Sequence, residues 1–182
     1  MEPGVSVVTK EKPALHPVSL GPMPERRRMR TRDEGFARAS VRIVFDIVRD
    51  VERWPDRLAH YRWVRMVERD GSGGGIVEMS ANRPFGVLNW PTFWRSLMEV
   101  DQARPAVRFR HIGGVTKGMD VEWAFEAGDA GTFITLDHLW DGPRWPLVGG
   151  VAATGVIGPV FVHGIASRTM AGLVRAAEGA QR

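Results

Sequence analysis

Two histidines, a tyrosine and an arginine are the residues of this 182-residue chain whose spacing best suits proton transfer or carbonyl polarisation. His111 completes the alternation Val107, Phe109, His111, and His138 falls in the run Ile134, Leu136, His138, Trp140. A period of two puts each imidazole on the apolar face of a strand. An unperturbed imidazole titrates at about 6.5, so it serves as acid or base near neutral pH. Tyr61 opens another strand, where its phenol would point into the opening of whatever the strands enclose. Arg95 and Arg110 have the opposite, outward parity. A one-residue slip in register would carry either inside, to hold a carboxylate, phenolate or enolate oxygen. The plainer alternatives are a hydrogen-bonded wall for the histidines and a solvated surface for the arginines. The histidines lack a third ligand at a recognisable spacing, so no metal is expected. No nucleophile–base triad is legible. Gly71 to Gly75 precedes a strand rather than a helix, so it is no phosphate loop, and no cofactor is called for.

The surroundings of these groups are apolar. The inward parity supplies Met79, Trp94, Met98, Phe109, Met119, Trp123, Leu136 and Trp140, with Ser96 among them. Aromatic rings and flexible thioethers suit a flat or irregular apolar guest. Taken singly, each is more simply a core residue. Taken as a set sharing a face with Ser96, His111 and His138, they read as the wall of a mostly apolar ligand cavity with few polar anchors. Phe161 and Ile165 would close it from a helix.

That helix is the long pattern near the end of the chain. Pro159 suits a first helical position and Gly179 a stop. Phe161, Ile165, Thr169, Gly172, Leu173 and Ala176 recur at spacings of three and four between them. Earlier, Met29 to Arg38 reads as a strand weakened by Gly35. Ser40 then caps a helix over Val41–Arg49. Trp54-Pro55 breaks it, and Asp56 to His60 makes a second short turn. Strands follow at Tyr61–Arg69, Ile76–Ala81, Trp90–Asp101, Val107–Ile112, Met119–Phe125 and Phe133–Asp141. Short connections force an antiparallel meander, and one apolar face per strand needs one cover. The expected fold is therefore α+β: a curved antiparallel sheet of six or seven strands round one long helix, with two short helices after the first strand.

Charge is unevenly placed. The chain's formal balance of +4 is carried by residues 1–32, which hold seven basic and three acidic side chains. Residues 1–25, with five prolines, read as an unstructured or loosely attached arm, and 26–182 as the globular domain. A basic arm could make transient contact with a membrane surface, although a solvated tail is the ordinary outcome. No nucleic-acid partner is expected. The chain has no cysteine. The most apolar stretch, Leu147 to Ile157, is too short for a span of about 20 residues. A cytoplasmic location is the default expectation.

The element order and local text resemble the START-like superfamily, the helix-grip or polyketide cyclase/dehydrase and lipid-transport group. The resemblance is carried by Val44-Phe45, Asp50, Trp54-Pro55, Leu58, His60, Tyr61, Trp94-Arg95-Ser96, Phe109-Arg110-His111, Gly118-Met119, Trp123, Thr132 and His138. It covers about Arg38 to Glu178. It implies a scaffold that carries a lipid, quinone or aromatic metabolite. It equally implies an aromatase/cyclase or dehydrase, in which His111 or His138 would move protons and Tyr61 or an arginine would polarise a carbonyl.

Overall fold

The structure is a computed structural model, and it describes residues 16–85, 88–142 and 158–182, with the side chains of 83–85, 88–90 and 158–163 left aside. Seven strands form one antiparallel sheet: β1 (Met29–Ala37), β2 (Tyr61–Arg69), β3 (Gly75–Phe85), β4 (Leu88–Asp101), β5 (Ala106–Gly114), β6 (Asp120–Gly128) and β7 (Gly131–Trp140). Their order is β1-β7-β6-β5-β4-β3-β2, so β2 to β7 run as a meander and β1 pairs with the last strand. Between β1 and β2 lie α1 (Val41–Arg49), a 3₁₀ turn (Val51–Arg53) and α2 (Trp54–Arg57). The long helix α3 spans Gly158–Gln181. This is the α+β helix-grip architecture that alternation and short connections require.

Local signals set the small helices. The Ser40 hydroxyl accepts a hydrogen bond from the Ile43 amide, satisfying an amide that has no partner within the first turn of α1. Val44, Phe45, Ile47 and Val48 are buried on one side of it. The second turn differs from expectation. It begins at Trp54 rather than Asp56, because Pro55 lies in a first turn, where a missing N–H leaves no bond unmade. Trp54 keeps helical angles despite preceding proline, with its indole buried and donating to the Val48 carbonyl at 3.1 Å.

The sheet's inner face is identified by what touches it. Phe45 of α1 meets Phe125 at 6.0 Å between centroids, and Trp54 meets Trp123 at 6.1 Å. A Cβ on Gly35 of β1 would lie 2.9 Å from the Met170 sulfur of α3, so the glycine that weakens the strand also admits the helix. Gly172 is the converse case: a Cβ there would fall 2.2 Å from Leu58. α3 buries Ile165, Ala166, Thr169, Met170, Gly172, Leu173 and Ala177. It runs past Gly179 to Gln181, where a stop was expected. The Glu178 and Gln181 side chains accept hydrogen bonds from the Arg38 and Ser40 amides, and these tertiary ties hold the last turn. Phe161, predicted on the same stripe, lies outside the described side chains, and the Leu147–Ile157 stretch lies outside the described residues.

β3 and β4 extend beyond their expected ends, to Phe85 through Pro84 and back to Leu88 beyond Pro91. The register of β2 reaches only Ala81, and that of β5 only Trp94. The extension is therefore a two-stranded ribbon, whose outer edges have no ladder bond for proline to remove.

The outer face is charged and paired. Arg32 holds Asp137 at 2.6 Å, Arg108 holds Glu99 at 3.2 Å, and Arg110 holds Asp120 at 2.7 Å. Arg65 and Arg95 both bind Glu78. Residues ahead of β1 cross this face. The Val18 amide donates to Asp70 at 2.8 Å, the Leu20 amide to Glu99 at 3.1 Å, and Arg108 donates to the Gly21 carbonyl. Arg27 reaches Asp141 at 2.7 Å and Asp120 at 3.6 Å.

Candidate ligand-binding site

The inner face is built around Trp54, whose ring lies 5.3 Å from Tyr61, 6.3 Å from Phe109 and 6.1 Å from Trp123. Tyr61 in turn meets Trp94 at 6.0 Å, and Trp94 stacks on His111 at 6.1 Å with 25° between planes. Met79, Trp94, Ser96, Met98, Phe109, Met119, Trp123, Leu136 and Trp140 are all buried. Register puts them together: Met79 opposite Trp94, Met98 opposite Phe109, Trp123 opposite Leu136. Ile165 is buried on α3.

Two hydroxyl–imidazole pairs stand on this face. His111 Nδ1 lies 2.6 Å from Thr116 Oγ1, and the His111 backbone bonds both Met119 and Gly118. The turn carrying Thr116 is also tied by the Trp140 indole, which donates to the Lys117 carbonyl at 3.1 Å. His138 Nδ1 lies 3.4 Å from Thr31 Oγ1 on β1. The two histidines do not meet, because β6 runs between them. Two interstrand spacings separate their strands by about 9–10 Å.

Ser96 sits directly opposite His111, next to an irregularity of β4 at Arg95/Ser96. It is wholly buried, and its hydroxyl has no hydrogen-bond partner among the described residues. Other buried hydroxyls on this face do: Thr92 donates to the Ala81 carbonyl at 3.0 Å and Thr132 to Ala39 at 2.8 Å. Arg95 does not join the site. It lies on the outer face, half exposed, bound to Glu78, and Arg110 lies there too with Asp120. Their parity was right, and no register slip carries them in.

Sequence reading named His60 only within the family resemblance and passed over Thr116 and Asp33. His60 Nε2 lies 3.0 Å from Thr169 Oγ1, joining the start of β2 to α3. Thr116 orients His111 from a turn with no periodic pattern. Asp33, opposite Leu136 on β1, is a buried carboxyl on the apolar face. Its odd-numbered parity with Met29 and Thr31 was the available signal. Among the described residues no three His, Asp or Glu side chains group as a metal site, and no helix is long and apolar enough to cross a membrane.

The family model for polyketide cyclase / dehydrase and lipid transport matches residues 38–158. The chain belongs to that family. The match runs from α1 through the whole meander, so Tyr61, Trp94, Ser96, His111 and His138 all lie within it. Solved structures show the same START-like fold. The Zhui aromatase/cyclase from Streptomyces sp. R1128 has a TM-score of 0.74 at 16% identity, covering 85% of this chain and 96% of that one. Ginseng major latex-like protein 151 from Panax ginseng has a TM-score of 0.66 at 9% identity, covering 82% and 97%. A START superfamily protein from Mycobacterium smegmatis has a TM-score of 0.60 at 15% identity, covering 84% and 96%. None of the curated proteins matches the sequence.

Proposed function

We propose that this member of the polyketide cyclase/dehydrase and lipid-transport family binds a hydrophobic small molecule between the sheet's inner face and α3. A lipid, a quinone or an aromatic, polyketide-type metabolite fits the lining of Trp, Phe and Met side chains. The observation that carries the reading is Ser96. A buried hydroxyl without a partner costs roughly 1–3 kcal/mol, and alanine would fill the same place without that cost. Set beside the Trp94–His111 stack, the hydroxyl suits a guest's carbonyl or phenol oxygen. The test has two parts. Solvent extraction and mass spectrometry of the purified chain should reveal a co-purified apolar compound. Titration with 2-naphthol and with naphthalene should saturate, and Ser96→Ala should weaken 2-naphthol about five- to tenfold while leaving naphthalene unchanged. A chain that carries no extractable compound and binds neither probe saturably would end the proposal.

A second reading is catalysis: cyclisation or dehydration of a polyketide-type substrate by acid–base chemistry. It is favoured by the Thr116–His111 pair, a hydroxyl that orients an imidazole next to the Ser96 position, and by the aromatase/cyclase among the structural neighbours. His111 would take and return the proton, and the Tyr61 phenol would polarise a carbonyl. His111→Ala should then abolish turnover of a poly-β-ketone analogue and keep 2-naphthol binding. Unchanged turnover would remove His111 from the chemistry.

A further inference from the structure

Two pairs of aromatic rings are exposed on the outer face of the sheet, and their surroundings differ in charge. Phe36 and Phe133 touch across β1 and β7 at 5.1 Å between centroids. Phe133 stands opposite Glu126, and Glu34 lies two residues before Phe36, so that pair sits among acids. Trp63 and Phe93 touch at 5.9 Å, flanking Ser80 of β3 from either side. They are 38% and 42% exposed. Here the neighbours are basic. Arg65 and Arg95 share the single carboxylate Glu78, which leaves one positive charge uncancelled, and exposed Arg62 adds another. The backbone at Gly114 packs so close to β4 beside this pair that a Cβ there would fall 2.1 Å from the Phe93 carbonyl.

We propose that the outer face at Trp63 and Phe93 docks on an anionic lipid bilayer. An indole has an apolar body and a polar N–H, which suits the headgroup boundary, and flanking cations are drawn to anionic lipid. Two rings exposed by about two-fifths offer at most a few hundred Å², since a whole aromatic side chain buries 150–250 Å². That falls short of the roughly 800 Å² each partner gives to a stable protein interface. The patch is sized for reversible insertion at a membrane surface. It lies on the side of the sheet away from the ligand face and is independent of which guest that face holds.

Co-sedimentation of the full chain with vesicles tests it. Phosphatidylcholine vesicles containing roughly one-third phosphatidylglycerol should bind the chain, pure phosphatidylcholine should bind it less, and added salt should weaken binding. W63A/F93A should lower partition into the anionic vesicles about tenfold. F36A/F133A, removing the pair among acids, should bind as the parent does. Thermal melting of both double variants verifies that these exposed substitutions leave the fold intact. Four results overturn the proposal: no binding by the parent chain, equal loss in both double variants, or binding unchanged in W63A/F93A. The fourth is self-association in the absence of lipid, removed by W63A/F93A, with no vesicle binding.

Discussion

β4 carries both surfaces of the molecule on alternate residues. Trp94, Ser96 and Met98 face the helices, while Phe93, Arg95 and Glu99 face outward. On the outward side Glu78, Asp120 and Asp137 are nearly buried, and each is matched by arginine from a neighbouring strand. On the inward side the polar groups are single hydroxyls and imidazoles, together with the buried Asp33 carboxyl, among a cluster of aromatic rings. The difference divides the labour of one sheet. Directional charge pairs between strands specify register, because a one-residue slip would break them all together. Dispersion contacts specify little about chemistry, so the inner face can trade a side chain for a guest with little consequence for strand pairing.

Breaking the inner face should give the largest effect. Trp54→Ala removes the ring shared by Tyr61, Phe109 and Trp123 and should cost about 3–5 kcal/mol in chemical denaturation. A loss under about 1.5 kcal/mol would mean that the cluster is loosely packed and the contrast between faces is overstated.

The outer face should break with acid. Bonds from Arg65 and Arg95 hold the Glu78 carboxyl below its ordinary range. Burial would raise Asp137, but Arg32 and Arg30 outweigh it and hold it low. Burial would likewise raise Asp70, yet bonds from the Ser72 hydroxyl and from the Val18, Ser72 and Gly74 amides lower it. The Arg28 amide and Arg27 lower Asp141. A carboxyl lowered by folding contributes its stability above the unfolded value, about 4, and loses it as pH falls through the folded value. Melting temperature should therefore be level from neutral to about pH 5 and fall below about pH 4. The doubly substituted E78Q/D137N should start lower and fall less steeply; an equally steep acid limb would exclude these two pairs as its source.

A single pair should matter less. Asp137→Asn should cost about 1 kcal/mol, because the Arg32 partner is half exposed and water screens it. A double-mutant cycle with Arg32→Gln measures that coupling, and coupling near zero would leave register to the apolar face alone. The smallest effect separates two hydroxyls of similar burial. Thr132→Val, losing the bond to Ala39, should cost about 1 kcal/mol, whereas Ser96→Ala should be neutral or stabilising by about 1 kcal/mol, the relieved hydroxyl being partly offset by the space it leaves. A clear loss in Ser96→Ala would show that its hydroxyl is already satisfied.

Much of the scaffold was legible. Tyr61–Arg69 and Val41–Arg49 have the expected boundaries, since alternation and a serine cap are written in neighbouring residues. The C-terminal end of α3 was not, because Glu178 and Gln181 are held by amides about 140 positions earlier in the chain. Pro84 obscured the far end of β3, since its tolerance depends on how far β2 happens to reach. At the site, the inward aromatic set was readable from parity. Thr116 beside His111 and Thr169 beside His60 were not, as nothing local pairs a turn or a helix with a strand.

Sequence alone determined the side of the sheet to which each strand residue belongs, because side-chain direction alternates with the chain itself. It also determined that one face would be aromatic and the other charged. Only the tertiary structure decided who meets whom. It keeps His111 and His138 two strands apart, commits Arg95 to Glu78, and lays residues 18–28 across the outer face. Those outcomes depend on strand order and register, which are settled by contacts between residues far apart in the chain.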